Sequence, residues 1–236
     1  MQDTERRARI MAAVTERGAA AGIGELMRRL CRFAVDEMAL SGCALVLMAS
    51  RDGGQVLADA GPRARTITRL QTELGEGPCL QAYISGLPVL LPDLAAEEAN
   101  HWPAFTAAAL AAGLHAEFSL PLGTRHNGIG TLDLCRDTPG MLSDDHLSDA
   151  LIAADIARDA VLAEQYAPGG TGLEELLATA DTDWLVVHQA TGMIAAQLDE
   201  TVANALARLR AAAFTSGPSM YDLAQDVVER RVRFDE

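Results

Sequence analysis

Three groups of side chains in this 236-residue chain could do chemistry. The first is His115, Glu117 and Ser119, which alternate with Ala116, Phe118 and Leu120. Alternation of period two is a strand signal, so the three polar groups share one face. That polar face either looks into a cavity or is a solvated face. Tyr83, Trp102 and Phe105 either line a pocket beside it or pack in the core. The second group is Arg208, Arg210, Arg230, Arg231 and Arg233, with Gln189 and His188, which offer donors to phosphate oxygens. The third is four cysteines, Cys31, Cys43, Cys79 and Cys135. None forms a C-x-x-C pair, so buried reduced thiols are expected. Cys79 follows Gly-Glu-Gly-Pro at a helix start, a position that can lower a thiol pKa.

Most enzyme classes find no support. The histidines at 101, 115, 126, 146 and 188 lack metal-ligand spacing, so no metal site is expected. G-x-S-x-G and G-x-G-x-x-G are absent. All nineteen basic residues are Arg, and without Lys there is no Walker-A loop, Schiff base or kinase lysine. Neither a cofactor nor enzymatic activity is expected.

The elements that position these groups follow from periodicity. Residues 1–20 and 25–40 read as helices, and 43–48 as a continuous apolar strand that turns at Arg51-Asp52-Gly53-Gly54 into 55–60. Residues 63–74 are helical, a short helix ends at Gly86, and a strand spans 88–91. Residues 95–112 are Ala-rich and helical, broken at Pro103. Strands at 115–122 and 128–136 form a hairpin, and Ser143 caps a helix over 144–165. Residues 24–166 therefore make an α+β domain, a central antiparallel sheet with helices on one face. Residues 1–23 are an N-terminal helix, and the Gly-rich stretch 167–172 is a linker.

The last third, 173–236, reads as an all-α three-helix domain. Its first helix carries a heptad seam of Leu173, Leu177, Ala180, Trp184, Val187, Thr191, Ile194 and Leu198, which fits either a dimeric coiled coil or an amphipathic helix packed within one chain. Val202, Leu206, Leu209 and Ala213 face inward on the second helix, which Gly217-Pro218 ends. Ser219 caps the third, with Met220, Leu223, Ala224, Val227 and Val228 inward and the arginine tail at its C-terminal end.

At three places this domain resembles the ANTAR family. His188-Gln189-Ala190-Thr191-Gly192 is similar to its Q-A-K-G core, Ala205–Ala213 to its A-F-x-x-L-R-x-x-A helix, and Leu223–Val228 to its V-A-x-D-V-V close. Thr191 replaces the family's Lys, Leu206 replaces its aromatic residue, and Pro218-Ser219 stands where a basic residue is usual. The resemblance implies a small RNA-binding module that acts in transcription antitermination by binding tandem RNA hairpins as a dimer. It is on this resemblance that the arginines, Gln189 and His188 become RNA-binding candidates.

The preceding domain resembles GAF domains at Gly75-Glu-Gly-Pro-Cys-Leu-Gln-Ala, Gly86-Leu-Pro-Val, Trp102-Pro-Ala-Phe105, Ser119-Leu-Pro-Leu and Gly128-Ile-Gly-Thr-Leu-Asp-Leu. GAF followed by ANTAR is an arrangement found in bacterial regulators. The resemblance implies a sensor with a ligand cavity between the sheet and its connecting segments, here for an unidentified small molecule. The N-K-F-D-E signature of cyclic-nucleotide GAF domains is absent. No bilin-attachment or sulfoxide-reductase cysteine arrangement is matched convincingly.

The formal net charge of −14 opposes RNA binding, but residues 201–234 carry a local excess of two positive charges. Two function classes remain: a signal-responsive RNA-binding antiterminator, and a dimeric sensor whose helical tail binds protein and not RNA. No apolar run approaches the ~20 residues of a bilayer span. No membrane association and a cytoplasmic location are expected.

Overall fold

The computed structural model describes residues 2–15, 22–50, 53–96, 101–166, 182–217 and 219–235. Two compact units are present, the larger holding residues 1–72 and 76–180, the smaller 181–236 with 73–75.

In the larger unit, the chain runs α1 (Gln2–Thr15), α2 (Ile23–Glu37), β1 (Gly42–Ser50), β2 (Gly53–Ala60), α3 (Ala64–Leu74), α4 (Pro78–Ser85) and β3 (Val89–Leu91). It continues through α5 (Pro103–Ala111), β4 (Ala116–Pro121), β5 (Gly130–Arg136) and α6 (Asp144–Tyr166). The strands form one antiparallel sheet in the order β2-β1-β5-β4-β3.

The apolar run of β1 explains the layering. Cys43, Leu45 and Leu47 join Phe118, Leu120, Leu132 and Leu134 in a core closed by α1, α2 and α6. Ala44 and Val46, pointing the other way, are buried as well, against Ala64 at the start of α3. A strand that is apolar on both faces needs cover on both. The expectation of helices on one face is therefore corrected, since α4 packs on the opposite face of β4 and β5.

Within the stretch 95–112, α5 begins at the expected break, Pro103, because the ring suits a first-turn position and holds the preceding Trp102 out of helical geometry. The N-terminal helix is tied to the sheet domain. Ile10 and Val14 of α1 are buried in its core, Arg6 and Arg9 both bind the Asp149 carboxylate at 2.9 and 2.6 Å, and Arg7 binds Asp159 at 2.8 Å. Ser143 caps α6 as expected, accepting from the His146 amide at 3.1 Å.

The smaller unit contains α7 (Thr182–Leu198), α8 (Val202–Ser216) and α9 (Met220–Val228). Thr201 Oγ1 accepts from the Asn204 amide and Ser219 Oγ from the Asp222 amide, so each caps its helix. Gly217 ends α8 at φ 90°, where a Cβ would be strained. Val187, Ala190, Ile194, Ala205, Leu206, Leu209, Ala213, Met220, Leu223, Ala224 and Val227 form one core. Val202, expected inward, is 58% exposed in the first turn of α8.

Candidate functional site

The sheet face opposite the main core carries a row of polar side chains. On β4, Glu117 and Ser119 point there, while Ala116, Phe118 and Leu120 enter the main core. On β5, Thr131 and Asp133 do the same, between Leu132 and Leu134. Ser119 stands directly opposite Asp133 across the two strands. Glu117, Ser119, Thr131 and Asp133 are all 0% exposed. The solvated-face reading of this strand is thus overturned, because α3 and α4 cover it.

The cover is hydrogen-bonded to the row. Gln71 of α3 donates from Nε2 to Glu117 Oε1 at 2.7 Å and accepts at Oε1 from the Cys79 amide of α4, also at 2.7 Å. Ser119 Oγ donates to Glu117 Oε1 at 3.3 Å, and Thr131 Oγ1 to Asp133 Oδ2 at 3.2 Å. Glu117 Oε2 and Asp133 Oδ1 have no hydrogen-bond partner among the described residues. Gly77 belongs to this construction, for a Cβ there would strike the Gln71 side chain, and its φ of 145° favours glycine.

Burial dominates the protonation of these groups. It pushes the Asp133 carboxyl up to about 7, against the opposing hydrogen bonds from Ser119 and Thr131. Glu117 is driven well above the usual carboxylate range by burial and then by the Asp133 charge, with the Ser119 and Gln71 bonds acting in the other direction. The Asp133 charge, where present, helps to keep Glu117 protonated. Cys79 lies in the first turn of α4, a position that can lower a thiol pKa. Burial reverses it, raising the thiol well above its ordinary value, with Asp133 and Glu117 adding to the rise. All four cysteines are free and buried.

The family model described as "GAF domain" matches residues 20–161. This chain belongs to the GAF domain family. The fold agrees with solved GAF domains from two phosphoenolpyruvate-protein phosphotransferases. The Coxiella burnetii domain is 14% identical with a TM-score of 0.52, and the Acinetobacter domain 13% identical with a TM-score of 0.51. Each comparison covers 68% of this chain and 92% of the other. The curated proteins contain no match.

Within the GAF domain, the expected pocket residues separate. Glu117 and Ser119 are in the polar row. His115 is half-buried one residue before β4, and no hydrogen bond joins it to Glu117 among the described residues. Phe105 is fully buried on α5. Trp102 is half-buried just before α5, edge-on to His101 with ring centroids 5.9 Å apart, and Tyr83 is half-buried on α4. Sequence reasoning missed Gln71, Thr131 and Asp133, and also Glu76. The Glu76 carboxylate accepts from the amides of Ala104 and Phe105 at 2.9 and 3.0 Å, so the Gly75-Glu76-Gly77 loop caps α5.

In the C-terminal unit, the described half of the heptad seam is used within one chain. Val187, Thr191 and Ile194 are buried against α8 and α9, and Thr191 Oγ1 donates to the Val187 carbonyl at 2.7 Å. Leu198 is partly buried in the same core. These positions are therefore not available to a partner helix. The helix carrying Trp184 is described but its side chain is not, and Leu173, Leu177 and Ala180 lie outside the described residues.

Of the arginines, Arg208 is exposed on α8 and held by the Glu200 carboxylate, with Nε at 3.0 Å from Oε2. Arg231 binds Asp226 at 2.6 Å and also reaches Glu229. Arg230, Arg231 and Arg233 were expected at the end of the third helix, but they follow it, since α9 stops at Val228 and Arg230 turns at φ 62°. Arg230 and Arg233 are exposed, and Arg210 is half-buried. Gln189 and His188 are exposed on α7, with partial burial lowering the His188 pKa and favouring its neutral form. No helix of the described residues is long and apolar enough to cross a membrane, and no cluster of metal-binding side chains is found among them.

Proposed function

We propose that this protein is a cytoplasmic, signal-responsive regulator in which the GAF domain controls an RNA-binding C-terminal unit of ANTAR type. Two chains acting together engage tandem RNA hairpins and so promote transcription antitermination. The observation that carries this reading is the three-helix core. Ala205, Leu206, Leu209 and Ala213, then Leu223, Ala224 and Val227, are among its buried residues, and they are apolar positions of two of the ANTAR-like motifs. Of the polar motif positions, Gln189 is exposed and Arg210 half-buried, with Arg208 exposed beside it. In this reading the protein is a homodimer without enzymatic activity. The downstream seam positions Val187 and Ile194 are taken up by the three-helix core.

The test is binding of the full chain to a tandem-hairpin RNA across a salt series, with single-hairpin and scrambled controls. Tight binding that needs both hairpins and weakens steeply with salt is the expected result. No binding at low salt by a folded dimer would sink the RNA half. A second reading would then stand, a sensor whose helical tail binds protein. Neutralisation of Arg208 by Glu200 and of Arg231 by Asp226 and Glu229 favours that reading.

A further inference from the structure

We propose that Glu117 and Asp133 bind a small organic cation, an ammonium or guanidinium compound with at least two N–H donors, beneath α3 and α4. This deepens the sensor reading of the GAF domain and rests on it. Two carboxyl groups on neighbouring strands are fully buried on one face. Each has one oxygen hydrogen-bonded to a neighbouring side chain and one oxygen, Glu117 Oε2 and Asp133 Oδ1, with no donor among the described residues. Buried polar atoms are nearly always paired, and a carboxylate in low dielectric is stable only beside a cation or several donors. The surrounding groups supply neither: Gln71, Ser119 and Thr131 are neutral and already committed, and Cys79 is a protonated thiol. Once ionised, the two orphan oxygens are negatively charged acceptors, and they define a ligand that donates twice and carries positive charge.

The same geometry connects occupancy to the cover. Gln71 bridges Glu117 to the first amide turn of α4 through its two ends. A cation that draws Glu117 towards its own N–H groups competes with the Gln71 amide, and loss of that bond frees the Gln71 side chain that fixes α4. Entry of the cation ionises the pair, so protons leave as the ligand binds.

The experiment uses the full chain, propylamine, butane-1,4-diamine, ethylguanidine and agmatine as probes, and propionate, succinate and propionamide as controls at constant ionic strength. Titration calorimetry in two buffers of different ionisation enthalpy reads affinity and proton release together. The expected result is binding of at least one cation, with proton release, about tenfold tighter at pH 8 than at pH 6. E117Q and D133N, which remove buried charge and should fold, are expected to weaken it at least tenfold while retaining their melting cooperativity. Binding by no cation beyond the propionamide background would overturn the proposal. Equal binding by wild type and both variants, or a pH response of the free protein without any cation response, would also overturn it. RNA binding measured on the same samples separates the two claims. Cation binding that leaves RNA affinity unchanged sinks the regulatory reading alone, and RNA binding without cation binding sinks this inference alone.

Discussion

Gln71 joins Glu117 to Cys79: its amide nitrogen donates to the Glu117 carboxyl at 2.7 Å and its amide oxygen accepts from the Cys79 backbone at 2.7 Å. One neutral side chain therefore satisfies a buried acid and the first turn of a helix. Gln71→Leu keeps the volume but leaves the Cys79 amide and Glu117 without those partners. Orphaned buried groups cost about 1–3 kcal/mol each. Chemical denaturation should show a loss of that order, and Gln71→Glu, a third carboxyl in the same place, should lose more. A neutral effect of both substitutions would mean that α4 is held mainly by apolar packing.

The buried acids set a pH dependence opposite to that of ordinary salt-bridged carboxylates. Asp133 is raised from 3.8 to about 7, and Glu117 is raised well above its ordinary value. Between those values the unfolded chain loses the Asp133 proton while the folded chain keeps it. Stability contributed by this group is therefore full below its unfolded pKa and falls as pH rises towards about 7. The slope is on the order of 1 kcal/mol per pH unit. Asp145, Glu25 and Glu200 are lowered by their arginine partners and act the other way, their contribution being lost in the acid range below. Denaturation from pH 4.5 to 8, three or four points apart by about one unit, should show a falling limb that Asp133→Asn flattens. A limb unchanged in that variant would remove Asp133 as its source.

Half of this cluster was legible in the sequence. Alternation over residues 115–120 placed Glu117 and Ser119 on one face, and the same reasoning applied to Thr131-Leu132-Asp133-Leu134-Cys135 would have placed Thr131 and Asp133 opposite them. Gln71 also left a signal. Ala64, Ile67, Thr68 and Gln71 share one stripe of α3, so a polar side chain stood on the helix's inward face. What the sequence could not supply was the cover, because whether a polar strand face meets water or a helix depends on tertiary packing. The heptad seam leaves two readings open for a related reason. A four–three repeat records an apolar stripe without saying which helix fills it, and α8 and α9 of the same chain fill the stripe at Val187 and Ile194.

Glu76 had no sequence signal of its kind, because its partner helix begins twenty-seven residues later, at Pro103. Its carboxylate supplies the acceptor that Trp102 cannot at the first turn of α5. Glu76→Ala should cost about 1 kcal/mol, the usual loss for a helix N-cap. Hydrogen exchange should locate the effect at Ala104 and Phe105. Protection there equal to wild type would show that the cap is replaced by water.

The attachment of α1 offers a separate test. Asp149 receives Arg6 and Arg9 together, while Ile10 and Val14 bury the apolar side of the same helix. Asp149→Ala removes the shared acceptor and leaves two arginines beside one another. The melting point should fall by a few degrees and limited proteolysis should cut first between α1 and α2. If cleavage is unchanged, burial of Ile10 and Val14 suffices, and Ile10→Ala should then release the helix where Asp149→Ala did not.

The Arg208–Glu200 pair provides the sharpest test of the RNA reading within the C-terminal unit. Glu200 lies just before α8 and Arg208 two turns into it, with the guanidinium bound at 2.5–3.1 Å. If Arg208 meets phosphate, Glu200 competes for it and also repels the backbone. Glu200→Gln should then tighten tandem-hairpin binding by roughly two- to fivefold, the scale of one exposed ion pair. Arg208→Ala should weaken it and reduce the slope of log affinity against log salt by about one. Thr201 still caps α8 in both variants, so helix content by circular dichroism should be unchanged. Opposite signs for the two substitutions would place Arg208 at the RNA backbone. Two silent substitutions, in a protein that binds the RNA tightly, would move the contact to Arg230 and Arg233 beyond α9.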